Sequence, residues 1–250
     1  MTGRGADLRA GGLVVPSLVT LLALGVLIGL GIWQLERKAW KDGLIATLSS
    51  RASAPPGVLP PPMDWDKLDR NSQEFQRVKL SAEFLHEHEA LVFTSGSSLR
   101  PDVSGPGYWV FTPVRLAGGR AVMVDRGFVP DALKNKDARP EGQVAGVVEI
   151  VGALRWPEQR SFFTPADTPG RNLWFARDPQ AVAEAKGIGP VAPFYIAQEA
   201  PQAPGRAPRV GKLQPNLPNN HLQYALTWFA LALALAGVFL AWAIRRRRSS

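Results

Sequence analysis

The chain has 250 residues, 22 prolines, no cysteine and a formal net charge of +8. Without cysteine, disulfides, thiolate nucleophiles, thiolate zinc sites and iron–sulfur clusters are excluded within the chain. The basic balance suggests nucleic acid at first, but residues 36–221 carry 23 Lys and Arg against 20 Asp and Glu. The surplus sits at the two ends, no basic stripe with interleaved aromatics remains, and nucleic acid is not an expected partner.

In chain order, residues 1–12 contain Arg4 and Arg9 and lead into an uncharged apolar run of 23 residues, Leu13 to Leu35. At about 1.5 Å rise per residue such a run crosses the roughly 30 Å hydrocarbon core of a bilayer. A cleavable signal peptide would have a shorter apolar core and a small-residue site close behind it. Ala52-Ser53-Ala54 lies 17 residues beyond Leu35, so the first run is expected to be a retained anchor. Gly25 and Gly29 form a small-x-x-x-small pair inside it, which lets helix backbones approach in lipid.

Glu36 to Arg51 reads as a continuation of that helix, and Ala52 to Pro62, with five prolines, as an extended linker over residues 52–62. Twenty-one of the 22 prolines fall between Glu36 and His221 and leave few windows for long helices, so strands and loops should dominate there. Candidate strands are Arg77 to Phe84, Ala90 to Thr94, Tyr108 to Arg115, Ala121 to Arg126, Gly146 to Arg155 and Phe194 to Gln198. Gly118-Gly119 marks a hairpin between two of them. Pro113 argues that its strand is at an edge or kinked, and Gly127 with Pro130 should end the next one. Pro179 to Lys186 reads as a short helix capped by Asp178. A second proline-rich stretch, residues 202–218, returns the chain to its last apolar run.

That run, Leu222 to Ile244, is again 23 residues long and is followed by Arg245-Arg246-Arg247-Arg248 in the terminal segment 245–250. The positive-inside rule then puts both termini in the cytoplasm, against the weaker pull of Arg37, Lys38 and Lys41. The expected fold class is a membrane protein of α+β type: transmembrane helices at 13–35 and 222–244 flank one β-rich extracytoplasmic domain, 36–221, with few short helices. A partly closed barrel and an open sheet both fit. The alanine pairs Ala232/Ala236 and Ala230/Ala234 supply small faces for packing against the first span or a partner.

His86-Glu87-His88-Glu89 lacks the i, i+4 histidines of a helical metalloprotease motif. On a strand its two imidazoles would share a face without a third ligand, so a solvated charged edge is the favoured reading, and whether His86 and His88 have any role stays open. No Ser/His/Asp order, P-loop or dinucleotide fingerprint can be assembled, and an enzyme is not expected. His221, at the mouth of the second span, has two readings. It is an interfacial residue behind an Asn219 or Asn220 cap, or it is a ligand. Ala225, Trp228 and Ala232 follow it on one helical face, with Tyr224 alongside, and a neutral imidazole there would suit haem iron as an axial ligand.

The segment Asn219-Asn220-His221-Leu222-Gln223-Tyr224-Ala225-Leu226-Thr227-Trp228-Phe229 resembles the second-span signature of the Surfeit locus protein 1 family, the cytochrome c oxidase biogenesis proteins. Gly31-Ile32-Trp33-Gln34-Leu35-Glu36-Arg37-Lys38-Ala39-Trp40-Lys41 is similar to the end of that family's first span, and Val124-Asp125-Arg126-Gly127-Phe128-Val129-Pro130 to its central strand-turn. Gly107-Tyr108-Trp109-Val110-Phe111-Thr112-Pro113 and Pro193-Phe194-Tyr195 agree as well, so the likeness covers nearly the whole chain. Phe128 stands where many relatives have Trp. The resemblance implies an assembly factor that binds haem a transiently and aids its insertion into the catalytic subunit of a haem-a-type cytochrome c oxidase. In that case His221 is the axial ligand, the metal being held through haem iron only, with Tyr224, Ala225 and Trp228 flanking the ring. Implied partners are that subunit, a haem a synthase and membrane lipid, and the expected location is a bacterial inner membrane, crossed twice. Two alternatives stay open: a scaffold for the same partners that touches no haem, and an exported membrane-bound hydrolase.

Overall fold

The computed structural model describes residues 7–214 and 219–248. Residues 1–6 of the expected N-terminal segment, 215–218 of the second proline-rich stretch and 249–250 of the basic tail lie outside the described residues. The helices are α1 (Asp7–Ser53), α2 (Arg70–Gln73), α3 (Pro179–Ala185) and α4 (His221–Arg248). The chain divides into two compact units, Met1–Ile45 with Pro218–Ser250, and Ala46–Leu217.

In the first unit, α1 and α4 are both long and apolar enough to cross a membrane. From Leu13 to Ser53 α1 runs 41 residues, or about 60 Å, so it contains the expected apolar span and continues through the charged segment after Leu35. The buried side chains of α4 are Ala225 and Ala232. Gly31 of α1 is the close-packing glycine, because a Cβ there would run into the Phe229 ring. The Gly25 and Gly29 pair, by contrast, has nothing within 4 Å. Of the alanine pairs, Ala232/Ala236 lies on the covered face and Ala230/Ala234 on the open one.

The second unit is a sheet of eight strands: β1 (Gly57–Val58), β2 (Arg77–Phe84), β3 (Ala90–Gly96), β4 (Ser104–Leu116), β5 (Ala121–Pro130), β6 (Val147–Arg155), β7 (Leu173–Trp174) and β8 (Val191–Ala200). Their order is β1-β2-β6-β8-β5-β4-β3-β7, and an additional β2–β4 pairing closes five of them into a barrel. β5 and β8 run parallel, and the other pairings within the barrel are antiparallel.

β4 closes the barrel by serving two neighbours on one edge. Its first half pairs with β3 as far as Ala90↔Phe111, and its end pairs with β2 from Phe84↔Val114. Pro113 stands at the changeover, and β4 is paired on both sides, so its strand is not an edge strand. Its carbonyl accepts from the Leu85 amide, and the missing N–H falls where β4 passes from one partner to the other. β5 runs on through Gly127 to Pro130, past the end its glycine and proline suggested. The register of β4 and β5 shifts between Trp109 and Phe111, which makes Gly127 (φ +111°) a bulge residue instead of a terminator.

Side-chain alternation divides the core. Val78, Leu80, Ala82 and Phe84 of β2 join Ile150, Leu154, Ala192, Phe194, Ile196, Val122, Val124 and Val114 in one cluster. All five barrel strands contribute to it, so it is the barrel interior. Trp109, Phe111, Met123, Tyr195 and Ala197 belong to a second cluster with Trp174 and Val182, which buries the outer face of β4, β5 and β8 under β7 and α3. For that reason β5 is buried at nine consecutive positions, Ala121 to Val129.

Neither proline-rich stretch is a free linker. Gly57 and Val58 pair with β2 and Leu59 is buried. The return segment bridges Phe128 to Arg209, and the Gln214 amide donates to Leu99. Apolar residues placed among the prolines, Leu59 and Leu213, give these stretches something to bury.

Candidate functional site at the mouth of the terminal helices

His221 is the first residue of α4. The Asn220 carbonyl accepts from the Tyr224 amide and so takes the first helical hydrogen bond, while the Asn219 side chain donates to Asp42 Oδ1 at 2.7 Å. Asp42 also receives the Lys38 ammonium at 2.6 Å. One turn of α1 towards its apolar part, Gln34 Oε1 lies 2.7 Å from His221 Nδ1. An amide oxygen can only accept, so Nδ1 is the donor in this contact, and a neutral ring held this way has its lone pair on Nε2. Among the described residues Nε2 has no hydrogen-bond partner.

The expected neighbours of His221 divide by exposure. Ala225 is 1% exposed and lies between His221 and Phe229 at i, i+4 and i+8, the two residues that meet Gln34 and Gly31. The room left by its small side chain is therefore taken up inside the helix pair. Trp228 is half-buried, and Tyr224 is 55% exposed. Gln34 was missed as a site residue in the sequence, although a polar side chain within an apolar span is a signal in its own right.

The β domain holds two buried charge clusters built on neighbouring residues of β5. Asp125 accepts from Arg177 Nη1 at 2.6 Å and from the Gly127 amide at 3.0 Å. Arg177 also binds Glu158, through Nε at 3.1 Å and through Nη2, and lies over the Trp109 and Tyr195 rings. Burial works against the Glu158 carboxylate, but Arg177 outweighs it and holds the group below the usual carboxylate range. On the opposite face Arg126 donates to the Gly142 carbonyl and stacks on Phe84, while Glu89 is paired through both oxygens with Arg139. Burial brings the Arg126 guanidinium down to about 10, still charged at neutral pH.

His86 belongs to this second cluster, which corrects the expectation of a solvated charged edge on a strand. Residues His86–His88 form a 3-10 turn. His86 Nε2 donates to the Val144 carbonyl at 2.9 Å and Nδ1 accepts from Arg126 at 3.3 Å. Burial lowers its pKa, and the facing Arg126 lowers it further. Both nitrogens are engaged, so this imidazole is structural. Among the described residues no group of three His, Asp or Glu is placed to hold a metal. A cavity of about 670 Å³ beside Arg70, Glu158 and Thr164 is polar and open, with no nucleophile and base brought together in it. Of the two remaining imidazoles, His88 has only Glu87 beside it, 3.6 Å from Nε2, and His221, at the helix mouth, is the one held by a hydrogen bond at Nδ1 with Nε2 left over.

Comparison with known proteins agrees with this arrangement along the chain. The model of the SURF1 family matches residues 21–233, from within α1 to within α4. Surfeit locus protein 1 of Mus musculus is 35% identical over 236 residues, covering 90% of this chain and 75% of its own length. The SURF1-like protein of Monosiga brevicollis is 35% identical over 254 residues, covering 97% and 91%. Surfeit locus protein 1 of Homo sapiens is 35% identical over 227 residues, covering 86% and 73%. By this match along both helices and the domain between them, the chain belongs to the SURF1 family.

Proposed function

We propose that the protein is a membrane-anchored assembly factor for cytochrome c oxidase. It takes haem a as cargo at the mouth of α1 and α4 and aids its placement in the oxidase catalytic subunit, without catalysing a reaction of its own. The observation that carries this reading is the half-buried His221, whose Nδ1 lies 2.7 Å from Gln34 Oε1 and whose Nε2, among the described residues, has no hydrogen-bond partner. That is the donor a haem iron takes from a neutral histidine. Tyr224 and Trp228 supply aromatic faces within two turns of it, and buried Ala225 keeps the helices close beneath. A single ligand at the edge of a span suits a cargo that must leave again.

In this reading both termini are cytoplasmic, because Arg245 to Arg248 extend α4 as a dense basic cluster. The β domain then stands on the other side of a bacterial inner membrane. The test is the absorption spectrum of the protein purified from cells that make haem a. A Soret band is expected in the native chain and its loss in His221→Ala, whereas unchanged haem content in that variant removes the ligand assignment.

One observation favours a second reading, a scaffold for the oxidase subunit or a haem a synthase that binds no haem. Gly25 and Gly29 leave an open small-residue face on α1, of the kind that packs against another membrane helix. Co-purification of such a partner without any Soret band would select it.

A further inference from the structure

We infer that Gln34 is a positioning residue. It holds His221 in the Nδ1–H tautomer and fixes the ring so that Nε2 is presented as a lone-pair donor. This rests on the haem reading for its purpose but not for its geometry.

A neutral imidazole has two tautomers, and in the absence of a partner both are populated. The partner at Nδ1 decides between them, and here it is an amide oxygen at 2.7 Å, a short and partly buried bond. Buried polar groups at the end of an apolar helix are costly to leave unpaired, so the pair is mutually enforcing: Gln34 needs a donor and Nδ1–H needs an acceptor. The rest of the mouth keeps the two helices in register for that bond. Asn219 is tied to Asp42 two turns further along α1, and Phe229 is seated on Gly31 on the other side. Ligating histidines in metal proteins use the same device, in which a hydrogen bond to one nitrogen orients the other.

The molecule contains an internal contrast. His86 donates through Nε2 to Val144 and accepts at Nδ1 from Arg126, so it carries the opposite tautomer. With only three histidines in the chain, nitrogen NMR on the full-length protein in detergent, labelled with ¹⁵N-histidine, can resolve them, and His221→Ala assigns the signal.

At a pH where the ring is neutral, the native chain should show His221 with Nδ1 protonated and Nε2 bare. Gln34→Glu, which keeps an acceptor at the same reach, should preserve that pattern, and Gln34→Leu should release the ring to a mixture. An Nε2–H tautomer in the native chain, or an unchanged tautomer in Gln34→Leu with the circular dichroism of the helices intact, overturns the inference. Titration with haemin supplies the functional arm. Gln34→Leu should weaken binding on the order of 10–100-fold, and Gln34→Glu should restore it. Tautomer release without any loss of haemin affinity overturns the positioning role. If His221→Ala binds haemin as well as the native chain while the NMR pattern holds, the haem reading fails and the tautomer assignment stands.

Discussion

In the β domain Arg177 meets two carboxylates and Glu89 meets the Arg139 guanidinium through both oxygens. In the helix pair the contact between α1 and α4 runs over Gly31, Phe229 and Ala225, and the polar side chains collect at one end, where Gln34 meets His221 and Asp42 meets Asn219. The first arrangement pairs Arg177 with Asp125 and Glu158, and Arg139 with Glu89, and so fixes one geometry. The second leaves one nitrogen, His221 Nε2, without a partner among the described residues. Reciprocated polarity is structural, and an unreciprocated donor atom held at a defined angle is available to something outside the chain.

The largest effect that would break this comparison comes from the β domain. Arg177→Met leaves the buried Asp125 and the half-buried Glu158 without their cation and should cost about 3–5 kcal/mol, read as a lowered urea midpoint of the domain. A loss below about 1 kcal/mol would show that the charges are not what holds the outer face of β5. The helix pair should respond less, and to bulk instead of charge. Gly31→Leu forces the Phe229 ring aside and should cost about 1–3 kcal/mol in thermal unfolding of the detergent-solubilised protein. An unaltered melting profile would mean that Gly31 is not the point of closest approach.

Histidine titration sharpens the contrast further. The folded pKa of His86 is lowered by burial and by Arg126, with the Val144 hydrogen bond, Glu89 and Glu87 opposing. Its contribution to stability is therefore fully present above the unfolded value near 6.5 and is lost as pH falls through 6.5 towards the lower folded value. One proton supplies at most about 1.4 kcal/mol per pH unit. Urea midpoints measured from pH 7.5 downward should fall for the native chain and stay flatter for His86→Gln, which keeps a donor for Val144 but does not titrate. The smallest effect is expected at Phe162 and Phe163, which are 96% and 88% exposed and whose rings meet edge to face. Phe162→Ser should change the urea midpoint by no more than about 0.5 kcal/mol in equivalent stability, and a larger loss would reveal a packing role outside both clusters.

The strands could be read where one face is buried. β2 alternates, and Arg77–Phe84 is legible end to end in the sequence. β5 is buried on both faces and carries a bulge glycine, so turn signals stopped the reading at Arg126, four residues short of Pro130. The closure of the barrel could not be read, because it depends on which partner β4 takes after Pro113. The charge clusters were hidden for a different reason. Asp125 and Arg177 are 52 residues apart, Glu89 and Arg139 50, and local pattern does not pair residues at such separations. At the helix mouth His221 was legible from its place before an apolar run. Gln34 stands 187 residues away, and its part emerges only when the two helices are brought side by side.

The changeover at Pro113 has a kinetic consequence. β2 and β4 share only three residue pairs, Ala82↔Leu116, Glu83↔Arg115 and Phe84↔Val114, against seven between β2 and β6. A cylinder stitched so briefly at one seam should breathe there first, by local opening that leaves the long ladders intact. Amide protons along that seam are expected to exchange with solvent ahead of those in the β2–β6 ladder, which makes the joint between the two halves of β4 the place where the barrel yields.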